Sequence, residues 1–321
     1  MKLLNKVTAT AALLVLICLC GCTSLVERFY PDDTTDPAHT AFVPVDVSDG
    51  SVYFRDFDGN IITLEKAPEK IASLSEVSTD ILVGLGAGRY ISAVNEGSLK
   101  IEGAPISAAV VPDYYCDTAK LTELKPELVF YSDSSLSYIA VTALKSAGLT
   151  LVRIPEKGNI LTAESNIRFI SSLMYKESNG ERMIDEMRSE YEKMKVLAEL
   201  VGMNRRVYIE NVGMYSACGG DCVISELCGF AGAENVFAGS KGSHLTNPEE
   251  LKKLDPDVII VLSKDPESFQ IDSVRKREGL EDVYAVRTKA IYAIDYTAAT
   301  LPTQSIIKAL RSVGAALKVT K

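Results

Sequence analysis

A chain of 321 residues holds two domains or one large one, with enough sequence for a sizeable core. Hydrophobic residues at 47% and charged residues at 24% exclude wholesale disorder, and a formal charge of −9 excludes non-specific nucleic-acid binding, which needs Lys and Arg to displace counterions. Two histidines, His39 and His244, are too few for a histidine-rich metal cage or a multi-histidine catalytic centre.

The chain opens with Lys2 and Lys6 ahead of an apolar run from Ala11 to Cys20. That run is about ten residues long, too short to span a bilayer and right for a signal peptide over 1–21. Leu19-Cys20-Gly21-Cys22 resembles the lipobox of bacterial lipoproteins, which implies cleavage after Gly21 and lipidation of the Cys22 sulfur. Two or three acyl chains anchor stably where one does not, so the expected location is the extracytoplasmic face of the cell membrane. Residues 22–50, rich in Asp, Thr and Pro without periodicity, read as a solvated tether, with His39 idle inside it.

Folded sequence is expected from residue 51. Val52-Tyr53-Phe54 and Ile61-Ile62-Thr63 around Asp58-Gly59 make a hairpin. Strands are predicted at 70–74, 90–94, 127–131 and 150–154, with helices at 78–86 (Ser78 as N-cap), 118–125 and 135–147 between them. Strands alternating with helices imply right-handed crossovers and a mainly parallel sheet. From 179 to 202 there is no Pro and no strand signal, and Ile184, Met187, Tyr191, Met194, Ala198 and Val201 repeat at three- and four-residue steps. Such a helix is a rod of ~35 Å.

Alternation then resumes: strands at 206–211, 257–262 and 290–295, helices at 221–231, 247–254, 266–277 and 302–317. Leu121-Thr122-Glu123-Leu124-Lys125-Pro126-Glu127-Leu128 and Leu251-Lys252-Lys253-Leu254-Asp255-Pro256-Asp257-Val258 repeat one phrase on either side of the rod. The expected architecture is therefore α/β: an N-terminal lobe over 51–178, a connecting helix over 179–202 and a C-terminal lobe over 203–321, both lobes Rossmann-like, with a ligand cleft between them.

Phe54-Arg55-Asp56-Phe57-Asp58-Gly59-Asn60, Ala67-Pro68-Glu69-Lys70-Ile71-Ala72-Ser73-Leu74-Ser75 and Ser78-Thr79-Asp80-Ile81-Leu82-Val83-Gly84-Leu85-Gly86 resemble the opening of the periplasmic-binding-protein family of iron–siderophore, haem and cobalamin ABC importers. With the repeated Leu-X-Pro-acid phrase and the connecting helix, the likeness spans about residues 52–317. It implies a rigid, monomeric, non-enzymatic receptor that hands its ligand to an ABC permease and, through it, to an ATPase. It also implies one docking Glu per lobe, seven residues before the Pro of the repeated phrase. That position is Glu249 in the second lobe and Ala119 in the first, where Asp117 and Glu123 are the substitutes in reach.

Residues just past strand ends are the cleft candidates: Ser75, Glu76, Asn95, Glu96, Tyr114, Tyr115, Tyr131 and Asp133 in the first lobe, and Asn211, Tyr215, His244, Lys264 and Tyr296 in the second. Tyrosines there would stack on a bulky ligand and still donate a hydrogen bond. With Lys264 as the main cation, a hydroxamate siderophore or a corrinoid fits better than an anionic catecholate; haem is a further alternative, and no intrinsic cofactor or metal is expected. A structural or adhesion lipoprotein without a small ligand is the alternative of another class. Gly84-Leu85-Gly86-Ala87-Gly88 ends a helix and lacks dinucleotide-loop spacing. Cys116, Cys218, Cys222 and Cys228 leave disulfide pairing open.

Overall fold

The computed structural model describes residues 44–48, 51–64, 66–114, 116–211 and 215–319. The signal peptide, Cys22, His39 and Tyr115 lie outside them. Folded structure begins earlier than residue 51, because Pro44–Ser48 (β1) pairs antiparallel with Ser51–Arg55 (β2), which pairs with Ile61–Leu64 (β3). The stretch expected as tether therefore contains a strand. Its valines alternate at 45 and 47 beneath the Pro and Asp content that suggested a loop. The β2–β3 turn is organised by the buried Asp56, whose carboxylate accepts from the Asp58 and Asn60 amides at 3.0 and 2.7 Å and from Asn60 Nδ2 at 2.8 Å.

The first lobe is a five-stranded parallel sheet. Its strands are Ile71–Leu74 (β4), Ile91–Asn95 (β5), Ala109–Val111 (β6), Leu128–Tyr131 (β7) and Leu151–Arg153 (β8), in the order β6-β5-β4-β7-β8. The chain reverses its winding about β4, so the crevice-forming switch point lies at the end of that strand. Helix α1 (Glu76–Gly84) follows β4, with Ser75 rather than Ser78 at its N-cap position. Ser78 sits in the helix and its hydroxyl donates to the Ser75 carbonyl at 3.0 Å. Helices α2 (Thr118–Leu124) and α3 (Tyr138–Ser146) cover one face. The other face is covered by α1 and by α4 (Ile160–Leu173), a helix the sequence reading passed over although Asn159 and Thr162 form a capping box at its start.

The connecting helix, α5, runs Glu177–Leu200, 24 residues and ~36 Å long. Its expected apolar stripe is buried from Ile184 to Ala198, joined by Met183, while Val201 is the C-cap and 53% exposed. Gly180 lies within the first turns, where α4 packs so closely that an added Cβ would stand 2.3 Å from Ser171 Oγ.

The second lobe carries a mixed sheet of Arg205–Glu210 (β9), Ser216–Cys218 (β10), Ala233–Asn235 (β11), Ser243–Leu245 (β12), Val258–Ser263 (β13) and Ile291–Asp295 (β14). The order is β12-β10-β9-β13-β14; β11 also pairs with β9, and β10 and β12 run antiparallel. Its helices are α6 (Val223–Phe230), α7 (Pro248–Leu254), α8 (Asp272–Arg275), α9 (Tyr284–Arg287), α10 (Tyr296–Thr300) and α11 (Ile306–Ala316). Two expected helices are shorter than predicted: 266–277 contains only the turn α8, and 302–317 begins at Ile306. Pro302 instead closes the loop after α10, its carbonyl accepting from Asn166 Nδ2 at 3.3 Å.

The repeated phrase has one geometry in both lobes. Asp117 and Asn247 are side-chain N-caps of α2 and α7, accepting from the Lys120 and Glu250 amides at 3.0 Å each. Lys125 (φ 47°, ψ 57°) and Asp255 (φ 40°, ψ 64°) end those helices in the left-handed region just before Pro126 and Pro256. A Pro there disfavours helical backbone in the preceding residue and turns the chain into the strand.

One continuous apolar core joins the lobes. It includes Ile71 and Phe130 from the first sheet, Ile184, Met187 and Tyr191 from α5, and Val207 and Ile260 from the second sheet. Tyr191 stacks on Phe230 of α6 with centroids 4.9 Å apart. Because side chains from both sheets interdigitate around α5, the lobes are held as one packed body.

Candidate ligand cleft

Glu76 opens α1 directly after β4. Burial holds its carboxyl pKa above the usual carboxylate range and Asp113 adds to the effect, while Lys100 and Lys264 act against it. Lys264 follows β13 of the other lobe. Glu76 at the end of β4 and Lys264 at the end of β13 thus lie in one electrostatic environment. Lys264 Nζ also lies 6.0 Å from the Tyr296 ring centroid, and Tyr296 begins α10 just past β14.

Beneath the first-lobe side runs a chain of buried hydroxyls. Ser73 Oγ bonds Ser78 Oγ at 2.7 Å and Thr79 Oγ1 at 2.8 Å, and Thr79 Oγ1 reaches Ser98 Oγ at 2.9 Å. Ser98 then donates to Asn95 Oδ1, and Asn95 Nδ2 donates to Asp113 Oδ1 at 2.8 Å. Asn95 is thus a buried support that positions Asp113. Ser75 is 1% exposed and its Oγ has no hydrogen-bond partner.

The remaining expected residues separate. Tyr131 is 6% exposed and packs in the core beneath α2 and α3, where burial pushes its phenol up to about 12. It serves the lobe rather than the cleft surface. Tyr114 is half exposed in a left-handed conformation (φ 61°), its backbone bonded to Ser135. Glu96 is exposed, and Asp133 is exposed and pairs with Arg153 at 3.6 Å. His244 lies on β12, its ring 4.9 Å from that of Phe237 and its Nε2 3.6 Å from Glu250; it covers an aromatic side chain rather than joining Lys264.

The Asn211 amide donates to the Ser216 carbonyl at 2.6 Å, closing the β9–β10 connection. Tyr215 stands beneath the guanidinium of Arg277, 5.3 Å from ring to Cζ, and its amide donates to Glu210. Arg277 grips Glu210 with two hydrogen bonds of 2.6 and 2.7 Å, and Tyr208 donates a third at 3.0 Å. This buried cluster escaped the sequence reading because Arg277 fell inside a predicted helix. Asp113 escaped it because the three-residue strand β6 before it was not recognised.

Helices α2 and α7 turn sharply into β7 and β13, so each runs antiparallel to its strand and starts at the same end as the cleft. Glu249 is exposed in the first turn of α7. It lines an open hollow of about 560 Å³ with Asn247, Pro248 and Glu278. Asp117 is engaged as the N-cap of α2. Among the described residues no group of three or more His, Cys, Asp or Glu suits a metal ion, and no helix is long and apolar enough to cross a membrane.

A family model described as "Periplasmic binding protein" matches residues 71–298. The chain belongs to this family. Its members are binding components of transport, not enzymes. The chain is 25% identical over 292 residues to a Bacillus subtilis (strain 168) protein named "Uncharacterized ABC transporter substrate-binding lipoprotein YvrC", covering 89% of this chain and 88% of that one. It shares its fold with a possible iron-binding (periplasmic solute-binding) protein from Staphylococcus epidermidis ATCC 12228, at TM-score 0.70 and 21% identity over 78% of this chain and 99% of the other. The periplasmic haem-binding protein RhuT from Roseiflexus sp. RS-1 is similar at TM-score 0.66 and 21% identity, over 78% and 99% of the two chains.

Proposed function

We propose that this chain is the extracytoplasmic solute-binding lipoprotein of an ABC importer, anchored through Cys22, and that it captures an iron–siderophore complex of the hydroxamate type. The carboxyl group of Glu76 carries the reading: it opens α1 at the end of β4, with Asp113 acting on it with like sign and Lys100 and Lys264 with opposite sign. A tris-catecholate ferric complex is strongly anionic and would be repelled by Glu76 and Asp113, whereas a neutral or cationic hydroxamate complex would not. Glu76 and Asp113 would accept hydrogen bonds from the ligand, and Lys264 would donate. A corrinoid or haem receptor is the second reading, favoured by the Lys264–Tyr296 pair, which offers a flat aromatic face beside a cation. The loaded monomer would dock on its permease, which is coupled to an ATPase, through Glu249 in the open hollow, with Asp117 as the first-lobe counterpart.

A thermal-shift screen against a ferric hydroxamate, a ferric catecholate, haem and cobalamin tests this. A true ligand at 100-fold excess over its dissociation constant stabilises by about 2.7 kcal/mol. Stabilisation by the hydroxamate and not by the catecholate supports the proposal. Stabilisation by haem or cobalamin alone moves the assignment to the second reading, and no response to any of the four favours a structural or adhesion lipoprotein.

A further inference from the structure

We propose that Tyr114 and Tyr215 are the two jaws of the ligand cleft, one on each lobe, and that left-handed backbone at each sets its ring against the outer apolar surface of the captured complex. Among the described residues, seven other than glycine have positive φ. Five of them, Lys125, Tyr175, Asp255, Lys289 and Lys318, stand at or just past the last turn of a helix (α2, α4, α7, α9 and α11), where the left-handed region is an ordinary way to stop. Tyr114 and Tyr215, both at φ 61°, end no helix. Such backbone is unfavourable for a bulky side chain and persists only where its surroundings impose it, often at ligand clamps.

Here the surroundings do impose it. The Tyr114 amide donates to the Ser135 carbonyl at 2.7 Å, and its carbonyl accepts from the Ser137 amide at 3.4 Å. The Tyr215 amide donates to Glu210 Oε2 at 3.2 Å, and its carbonyl accepts from the Thr246 amide at 2.9 Å. Its ring lies against Arg277, which Glu210 holds with two hydrogen bonds. Arg277 is thus a positioning residue behind the Tyr215 ring.

Topology puts both tyrosines where an open α/β sheet takes its ligand, at the carboxyl end of a switch strand. In the first lobe that strand is β4. Tyr114 follows the edge strand β6, yet its partner Ser135 follows β7 on the far side of β4, so the chain leading to it crosses the carboxyl ends of β5 and β4. In the second lobe the switch strand is β9: β10 and β11 lie to one side of it, β13 and β14 to the other, and Tyr215 follows its carboxyl end. Tyr114 is 49% exposed and Tyr215 is partly exposed, so each keeps ring surface for a ligand. A ferric hydroxamate complex, its iron wrapped in methylene and amide groups, offers an apolar shell that two rings can grip. Both jaws presuppose that the chain is a solute receptor.

Calorimetric titration of the wild-type chain and its variants with ferrioxamine, haem and cyanocobalamin tests this. For whichever probe the wild-type chain binds, Tyr114→Gly and Tyr215→Gly should each weaken binding at least about tenfold. Tyr114→Gly should nevertheless melt no lower than the wild-type chain, because glycine takes left-handed backbone without strain. Tyr114→Phe and Tyr215→Phe should bind within about threefold of wild type, since the ring makes the contact. Glycine variants that bind like the wild-type chain, or phenylalanine variants as weak as the glycine ones, overturn the jaws and leave the receptor role standing. Binding of none of the three probes by the wild-type chain overturns both. Nitration of the wild-type chain by tetranitromethane, mapped by peptide mass spectrometry, decides the matter even where a variant fails to fold. A saturating probe should slow modification of Tyr114 and Tyr215 several-fold and leave that of Tyr284, whose amide is bonded to Asp255 ahead of β13, unchanged. No protection of either ring overturns the proposal.

Discussion

Thr303 Oγ1 donates a buried hydrogen bond of 2.5 Å to Asp80 Oδ2, joining the loop before α11 to helix α1 across 223 residues of sequence. Gln304 Nε2 adds a second link to the Asp80 carbonyl at 2.8 Å. A carboxylate here is solvated by side chains of the opposite lobe rather than by water, so its protonation reports on the seam between lobes.

Burial raises the Asp80 pKa above its ordinary value of 3.8, against hydrogen bonds from Thr303 and Ser305 and the charge of Lys308. The folded state then binds the proton more tightly than the unfolded state. Its stabilising contribution is complete below 3.8 and is lost as pH rises through the elevated folded value. Asp80→Asn should therefore show a shallower decline in unfolding free energy than the wild-type chain as pH rises above 3.8, by urea titration. Equal slopes would rule out this role for Asp80.

Arg277 and Glu210 are 10% and 2% exposed in their side chains and are joined by two hydrogen bonds. Arg277→Ala strands a buried carboxylate and should cost about 3–5 kcal/mol. The double variant Arg277→Met with Glu210→Gln should recover most of that loss in denaturant unfolding. A double variant no more stable than the single one would mean the cost arises elsewhere.

At Gly180 two effects oppose. Replacing Gly by Ala in a helix gains up to about 1 kcal/mol, but the new Cβ would lie 2.6 Å from Ser171 Cβ. A β-carbon cannot swing away, so Gly180→Ala should destabilise by about 1–2 kcal/mol net. Adding Ser171→Gly should restore much of it. A midpoint at or above that of the wild-type chain would show that α4 and α5 separate easily.

Glu249→Arg is expected to abolish transport in whole cells while leaving ligand affinity unchanged, because Glu249 is exposed on the open hollow beside α7. Asp117→Ala should cost about 1 kcal/mol through loss of the α2 cap, with a smaller transport defect. Normal uptake by Glu249→Arg would remove this carboxylate from the docking surface.

The local syntax of the chain was readable directly. Apolar periodicity located the stripe of α5, and the Leu-X-Pro-acid phrase located two equivalent helix-to-strand turns, because both depend on backbone preferences a few residues long. Short elements were not readable in this way. The strand β6 is three residues, and the strand β1 hid behind Pro and Asp, so each forms only because a neighbouring strand supplies hydrogen bonds.

Sequence alone determined that two similar α/β lobes flank a long helix, since hydrophobic spacing sets which face of each element must be buried. Tertiary structure alone decided which polar groups meet: Asp80 with Thr303 and Glu210 with Arg277, while Tyr131 turned into the core and His244 onto Phe237. Those pairings depend on how sheets pack around α5, and burial there raises the cost of every unpaired charge, so partners distant in sequence become obligatory neighbours in space.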